Sequence, residues 1–177
     1  MEKNWNVVEV LRYSRHDWLN RLQLIKGNLD LNKVDRAKAI VDQIIIETQH
    51  ESKLSNLKMP MFASLLLTAN WEGHHFQLEY EVLHETETRP VNDSEITKWT
   101  TAFITLLDSS LEPFQENSLS VCIDQVDEGI CFIFDFSGII TGTKLLEEFL
   151  EQSKSTGVTV KNFSDNELAI EVFLPFR

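Results

Sequence analysis

Hydrophobic residues recur every three or four positions through the first thirty residues of the chain. This stripe is made by Val8, Leu11, Trp18, Leu22, Ile25 and Leu29, with Arg15 as its one polar member. Alternating steps of three and four are typical of an amphipathic helix whose apolar side faces other helices. The pattern predicts a helix from about Asn4 to Asn28, with Gly27-Asn28 as a stop signal and Asp30-Leu31-Asn32 as a turn.

A second helix is predicted from about Val34 to Ser55. Its apolar face is made by Val34, Ala37, Val41, Ile44 and Thr48 at heptad spacing, widened by Ile40 and Ile45. Two antiparallel helices with such wide faces cannot bury both faces against each other. We therefore expect a second copy of the hairpin to complete a dimeric four-helix bundle. Packing against the rest of the same chain is the alternative.

Beyond a short linker at residues 56–60, the periodicity becomes mixed. Helices are predicted over Met61–Trp71, Glu95–Phe114 and Thr143–Ser155, and strands over Phe76–Val82, Leu119–Asp124, Ile130–Phe136, Val158–Val160 and Leu168–Leu174. Asn92-Asp93-Ser94 are capping candidates for the helix that follows them. We predict two domains, a helical hairpin at residues 1–56 and an α/β sandwich at residues 57–177. The fold class is therefore α+β, and the sheet should be mostly antiparallel with helices on one face.

Charge and composition narrow the function. The formal net charge of −12 argues against nucleic-acid binding, although residues 1–27 carry five basic and three acidic side chains. The sequence lacks the run of about 20 apolar residues that spans a bilayer, and no signal peptide is recognisable. We therefore expect a cytoplasmic protein with no membrane partner. Cys122 and Cys131 should then be reduced core residues, with a cross-strand pair as the alternative.

His16 is the residue best suited to carry chemistry. It stands one residue off the apolar stripe, so it should lie on the rim of a bundle, where water and a partner protein reach it. Arg12 and Asn20 lie one turn before and after it on the same face. Arg12 and Arg15 are candidates to offset phosphate charge, and Asp17 to orient the imidazole, although adjacent helical residues diverge by about 100°. A solvated histidine on a solvated basic face is the alternative.

The remaining histidines do not predict a metal site. His50, His74, His75 and His84 stand at a spacing that fits no standard ligand set. We expect ordinary strand or turn histidines and no metal bound by this chain.

The segment His16–Gln23 reads His-Asp-Trp-Leu-Asn-Arg-Leu-Gln. It resembles the phosphorylated-histidine box of bacterial sensor histidine kinases of the citrate-sensor type. Residues Met61–Val82 and Leu168–Phe176 resemble the start and the final strand of the ATP-binding domain in that branch. The resemblance covers nearly the whole chain and implies that His16 is the phosphorylated nucleophile.

The nucleotide-binding boxes of those kinases are altered here. Thr105 and Ser109 stand where the kinases have two asparagines. The segment Asp135-Phe136-Ser137-Gly138-Ile139 replaces a pattern Asp-x-Gly-x-Gly, whose glycines let the backbone approach the nucleotide. The second domain is therefore expected to be a degenerate ATP-binding domain without a nucleotide site.

A chain that has the phosphohistidine helix but lacks the nucleotide-binding site resembles the sporulation phosphotransferases of spore-forming bacilli. That resemblance implies a homodimer that takes a phosphoryl group from the aspartyl phosphate of one response regulator. It then passes the group through the histidine to an aspartate of a second regulator, which controls sporulation. The resemblance also implies that this chain binds no cofactor and that the regulators hold Mg²⁺.

Two alternative functions are open at this stage. The chain could be a divergent sensor-type histidine kinase that uses ATP through an altered site. It could also be a non-enzymatic dimeric adaptor that sequesters a response regulator.

Overall fold

The computed structural model describes residues 5–83, 89 and 91–176. In chain order the elements are α1 (Val7–Asp30), α2 (Val34–Asn56), α3 (Pro60–Ala69), β1 (Gln77–Val82), α4 (Asp93–Ser109), β2 (Ser118–Val126), β3 (Gly129–Ser137), α5 (Thr143–Ser153), a short 3-10 helix (Lys154–Thr156), β4 (Val158–Phe163) and β5 (Glu167–Pro175). This order confirms the α+β class. Among the described helices, none has the length and apolarity needed to cross a membrane.

Both ends of α1 differ from the prediction, since the helix begins at Val7 and not at about Asn4. Asn6 and Glu9 form a capping box, in which the Asn6 Oδ1 accepts from the Glu9 N–H at 3.0 Å. The predicted stop at Gly27-Asn28 is wrong, because the helix continues to Asp30. The asparagine of that pair donates its side-chain amide to a carbonyl one turn earlier and so stays helical. The chain reverses at Asn32, which has a φ of 55°.

The two helices of residues 1–49 leave most of their apolar side chains uncovered. No described residue of α1 is buried. The large apolar members of the two predicted stripes that are exposed are Val8, Leu11, Trp18, Leu22, Leu29, Val34, Val41 and Ile45. An ion pair between Arg21 and Glu47, with 2.7 Å between nitrogen and oxygen, joins α1 to α2. The single chain thus exposes the surfaces that the heptad pattern marks for burial.

Residues 50–177 form a second compact unit built on a five-stranded sheet. The strand order is β1-β2-β3-β5-β4, in which β1 pairs with β2 in parallel and every other pair is antiparallel. Alternate residues of each strand enter one core with apolar residues of α3, α4 and α5, as Phe132 and Phe134 of β3 do. The sheet therefore has its helices on one face, as predicted. The boundary predicted at residue 56 stays a prediction.

Side chains satisfy the outer edge of β1. The Asn70 amide accepts from the Leu78 N–H and donates to the Leu78 carbonyl, both at 2.8 Å, as a neighbouring strand would. The Val82 N–H donates to Nδ1 of His50 at 3.1 Å, and Lys53 donates to the Val82 carbonyl at 3.3 Å. His50 therefore has a structural role in the last turns of α2. Capping an exposed edge in this way discourages pairing with other chains.

The end of α4 departs from the sequence prediction. The helix stops at Ser109 and not at Phe114. Leu111 instead forms an isolated antiparallel bridge with Ile140, a residue of the loop after β3. Pro113, which has no N–H to continue a helix, follows.

Asp93, one of the capping candidates for α4, caps a different helix. Its carboxylate accepts from the backbone N–H groups of Met61 and Phe62 in the first turn of α3, both at 2.9 Å. A negative charge at this end of a helix also complements the helix dipole. One carboxylate therefore links the starts of α3 and α4.

The two cysteines lie on neighbouring strands but are not directly opposite. In the register of β2 and β3, Cys122 faces Ile133 and Cys131 faces Asp124. Both are free thiols in the structure. Burial, together with the nearby carboxylate of Glu81, raises the pKa of Cys122 to about 11.

Candidate functional site

His16 lies in the middle of α1 with 70% of its side chain exposed. Helical spacing places Arg12, Tyr13 and Asn20 on the same face, three or four residues away. Asp17 stands next to His16 in sequence and, like Tyr13, is partly exposed, whereas Arg12 and Asn20 are exposed. The structure therefore brings the predicted Arg12 and Asn20 to the face of His16, together with an aromatic residue that the sequence prediction did not include.

One nitrogen of the imidazole is engaged. The Asn20 side-chain nitrogen is 3.2 Å from Nδ1, and a carboxylate oxygen of Asp17 is 3.5 Å from Nδ1. An ionised carboxylate only accepts, so it favours the tautomer with the proton on Nδ1. The Asn20 amide suits either tautomer, because half a turn exchanges its oxygen and nitrogen. Within the described residues no hydrogen bond reaches Nε2, so its lone pair is exposed in that tautomer.

The two predicted arginines differ in their surroundings. The Arg12 guanidinium lies over the ring of Tyr13, with 5.5 Å from its Cζ to the ring centroid. The Tyr13 ring in turn meets Trp5 edge to face, with centroids 5.2 Å apart and planes at 84°. Arg15 is exposed and has no ion-pair partner in the part of the chain that the structure describes. Sequence reasoning missed Tyr13, although its position three residues before His16 was a usable signal.

Thr105 and Ser109, which the sequence predicts in place of two kinase asparagines, are exposed on α4 and bond to its backbone. The Thr105 hydroxyl donates to the Thr101 carbonyl, and the Ser109 hydroxyl donates to the Leu106 carbonyl, both at 2.8 Å. These short side chains therefore bond to the backbone of α4 itself. The proton of each hydroxyl is thus used within the helix, and the oxygen can still accept a hydrogen bond.

The loop that replaces the kinase glycine box is anchored by Asn117, a residue that sequence reasoning missed. Its Oδ1 accepts from the Ile139 N–H at 2.9 Å, and its side-chain nitrogen donates to the carbonyls of His75 at 2.9 Å and Glu112 at 3.3 Å. A Cβ added at Gly138 would stand 2.2 Å from that Oδ1. The backbone of this loop is thus bonded inward and closely packed.

Two family models together match nearly all of the chain. One, described as the sporulation initiation phosphotransferase B C-terminal domain, matches residues 58–175. The other, described as the alpha-helical domain of SpoOB-type sensor kinases, matches residues 1–57. The chain belongs to the sporulation initiation phosphotransferase B family. This membership supports a phosphotransferase role in sporulation.

A curated member of the family comes from Bacillus subtilis strain 168 and is named sporulation initiation phosphotransferase B. It is 37% identical over 172 residues, which cover 95% of this chain and 89% of that protein. Its name confirms the resemblance stated from the sequence. The name does not specify the transfer steps.

Solved structures with similar folds include sensor histidine kinases. The catalytic domain of histidine kinase ThkA is 10% identical, with a TM-score of 0.43 over 68% of this chain and 92% of that chain. Histidine kinase AdeS of Acinetobacter baumannii is 9% identical, with a TM-score of 0.42 over 92% of this chain and 98% of that chain. Similarities this weak say nothing about the activity of this family member.

Two other described histidines of this family member, His74 and His75, contact Asp108. Nδ1 of His75 is 3.3 Å from an Asp108 oxygen, and Nδ1 of His74 is 3.7 Å from the same oxygen. His84 lies outside the described residues. Across residues 5–83, 89 and 91–176, no three side chains of His, Cys, Asp or Glu are grouped so that they could hold a metal ion.

Proposed function

We propose that this protein is a phosphorelay phosphotransferase in which His16 carries the phosphoryl group. It accepts the group from the aspartyl phosphate of one response regulator and passes it to an aspartate of a second regulator that controls sporulation. The observation that carries the proposal is the exposed imidazole, whose Nδ1 contacts Asn20 and Asp17 while Nε2 has no partner within the described residues.

The two transfers need no oxidant, reductant or further group. In the first, the Nε2 lone pair attacks the phosphorus of the aspartyl phosphate, a P–N bond forms, and the acyl P–O bond breaks to release the carboxylate. In the second, a carboxylate oxygen of the acceptor attacks the same phosphorus, and the P–N bond breaks to return the imidazole. The proton on Nδ1 stays in place during both steps.

Such reactions depend on positioning and charge neutralisation, because the acyl phosphate is already activated. Asn20 and Asp17 hold the imidazole and keep its Nε2 edge outward. Arg12 and Arg15 bring positive charge to the face where the phosphoryl group arrives. Mg²⁺ belongs to the acidic pocket of each regulator, and this chain binds no cofactor.

The surroundings of the former nucleotide site support a transferase that does not use ATP. Thr105 and Ser109 direct their hydroxyls to the backbone of α4. Asn117 bonds to the Ile139 N–H, in the loop whose backbone approaches the nucleotide in the resembled kinases. The phosphoryl group therefore comes from another protein. The transfer takes place in the cytoplasm, where response regulators act.

We also propose that the protein is a homodimer held by a four-helix bundle. The stripes of α1 and α2 expose large apolar side chains, among them Trp18 at 48% and Leu22 at 56%. A second hairpin would cover both stripes at once. An obligate bundle of this kind should bury upwards of about 2,000 Å².

The test follows radioactive phosphate. The protein is incubated with ATP alone, and separately with a response regulator phosphorylated by labelled acetyl phosphate. We expect label on this chain only from the regulator, at His16 by mass spectrometry, and onward transfer when a second regulator is added. His16→Ala should abolish both steps, whereas the matched control His75→Ala, at another exposed histidine, should leave them unchanged.

Label arriving from ATP alone would instead indicate the divergent kinase. Normal sporulation of cells carrying His16→Gln would indicate the adaptor, since an adaptor needs binding but not the imidazole. Either result refutes the phosphorelay proposal.

A further inference from the structure

We infer that Tyr13 and Trp5 position the Arg12 guanidinium for phosphoryl transfer at His16. We call the two rings the aromatic shelf. The inference rests on the proposed function and adds two positioning residues to it.

The shelf is defined by two ring contacts. Arg12 lies over the Tyr13 ring, 5.5 Å from Cζ to the centroid. Tyr13 meets Trp5 edge to face at 5.2 Å. A guanidinium over an aromatic ring is attracted by the negative face of the ring, and an edge-to-face pair is a favoured arrangement of two rings. Trp5 therefore holds Tyr13, and Tyr13 holds Arg12.

The shelf lies on the face of the candidate site. Tyr13 and Arg12 precede His16 by three and four residues, which places all three side chains on one side of α1. Side chains of a helix incline toward its N-terminus, so the imidazole of His16 extends over the turn that carries Arg12 and Tyr13. A guanidinium resting on the Tyr13 ring thus lies in the turn over which the phosphoryl group would be bound.

Among the three arginines of α1, Arg12 alone combines a ring contact with a charge that no described carboxylate pairs. Arg21 also lies over a ring, that of Trp18 at 5.8 Å, but its charge is paired with Glu47 at 2.7 Å. Arg15 has neither contact within the described residues. Arg12 has no carboxylate partner there, and its one described contact is with a neutral ring.

Holding Arg12 in advance should accelerate transfer. A free arginine side chain loses rotamer freedom when it binds a phosphoryl group, whereas an arginine already held over a ring loses less. A cation–π contact at an exposed site corresponds to a factor of about two to five. Removal of the shelf should reduce the transfer rate by that factor.

The experiment is a double-mutant cycle on the full chain. Tyr13→Leu, Tyr13→Phe and Trp5→Leu are made alone and together with Arg12→Ala. Single-turnover transfer from a response regulator labelled with acetyl phosphate is measured by rapid quench over a range of protein concentrations. Far-UV circular dichroism and sedimentation establish that helix content and mass are unchanged.

We expect Tyr13→Leu to lower the maximal rate by a factor of about two to five without changing the half-saturating concentration. Tyr13→Phe keeps the ring and should restore the rate. Trp5→Leu should show a smaller fall. In the Arg12→Ala background none of these substitutions should have a further effect.

An equal fall from Tyr13→Leu in the Arg12→Ala background would show that Tyr13 does not act through Arg12, and would overturn the inference. An unchanged rate in Tyr13→Leu, or a Tyr13→Phe variant as slow as Tyr13→Leu, would also overturn it. A wild-type protein that takes no label at His16 refutes the proposed function itself, which separates the two failures.

Discussion

Asn117 offers the sharpest test of how the second unit is held together. Asn117 is only 5% exposed. Its side chain makes three hydrogen bonds, to backbone groups of His75, Glu112 and Ile139. Asn117→Ala removes all three and leaves the Ile139 N–H and the His75 carbonyl without this buried partner. Each hydrogen bond contributes about 0.5–1.5 kcal/mol net, so the loss of the three bonds should lower the free energy of unfolding by about 2–4 kcal/mol. That is a large share of the stability of a typical domain.

The assay is urea unfolding followed by tryptophan fluorescence and far-UV circular dichroism, with the slope compared between variants. Asn162→Ala is the matched control, because the Asn162 amide donates to Glu167 at an exposed site. The control should change stability by less than about 0.5 kcal/mol. Asn117→Asp should be as damaging as Asn117→Ala, since a carboxylate cannot donate to the two carbonyls. A loss below about 1 kcal/mol for Asn117→Ala would refute this reasoning.

Three further predictions address the hairpin and the sheet. Leu22→Glu places a charge on the exposed stripe. The proposed homodimer predicts a dimeric mass for the unchanged protein and a monomeric mass for the variant by sedimentation at micromolar concentration; an unchanged mass would contradict the proposed bundle. Arg21→Ala should lower stability by about 0.2–1 kcal/mol in urea unfolding, because its ion pair with Glu47 is only partly shielded from water. A loss that is the same at high and low salt would speak against an ion pair. Since the pKa of Cys122 is raised to about 11, about one part in a thousand of its thiol should be thiolate at pH 8. The rate of its reaction with a thiol reagent should therefore keep rising up to pH 11. A rate that stops rising below pH 9 would disprove the raised pKa.

The local pattern of hydrophobic and polar residues was sufficient to predict which segments form helices and which form strands. The heptad of α1 and the alternation in β1 predicted their types, because the side of an element that is buried repeats with its own period. The same reasoning placed His16 off the apolar stripe, and its side chain is exposed in the structure. Element ends were less predictable, since Gly27-Asn28 stays helical and α4 stops before Pro113.

The sequence by itself determined the type and order of the helices and strands, and it placed His16 off the apolar stripe. Only the tertiary structure decided which distant groups meet. Asp93 caps α3, a helix 31 residues earlier in the chain, and Asn117 joins three loops. The physical reason is that periodicity records which face of an element is apolar, whereas a hydrogen bond or ring contact depends on where packing brings two segments together. Periodicity also leaves open the contact of Arg12 with its neighbour Tyr13, because that contact depends on the side-chain rotamers within one helix.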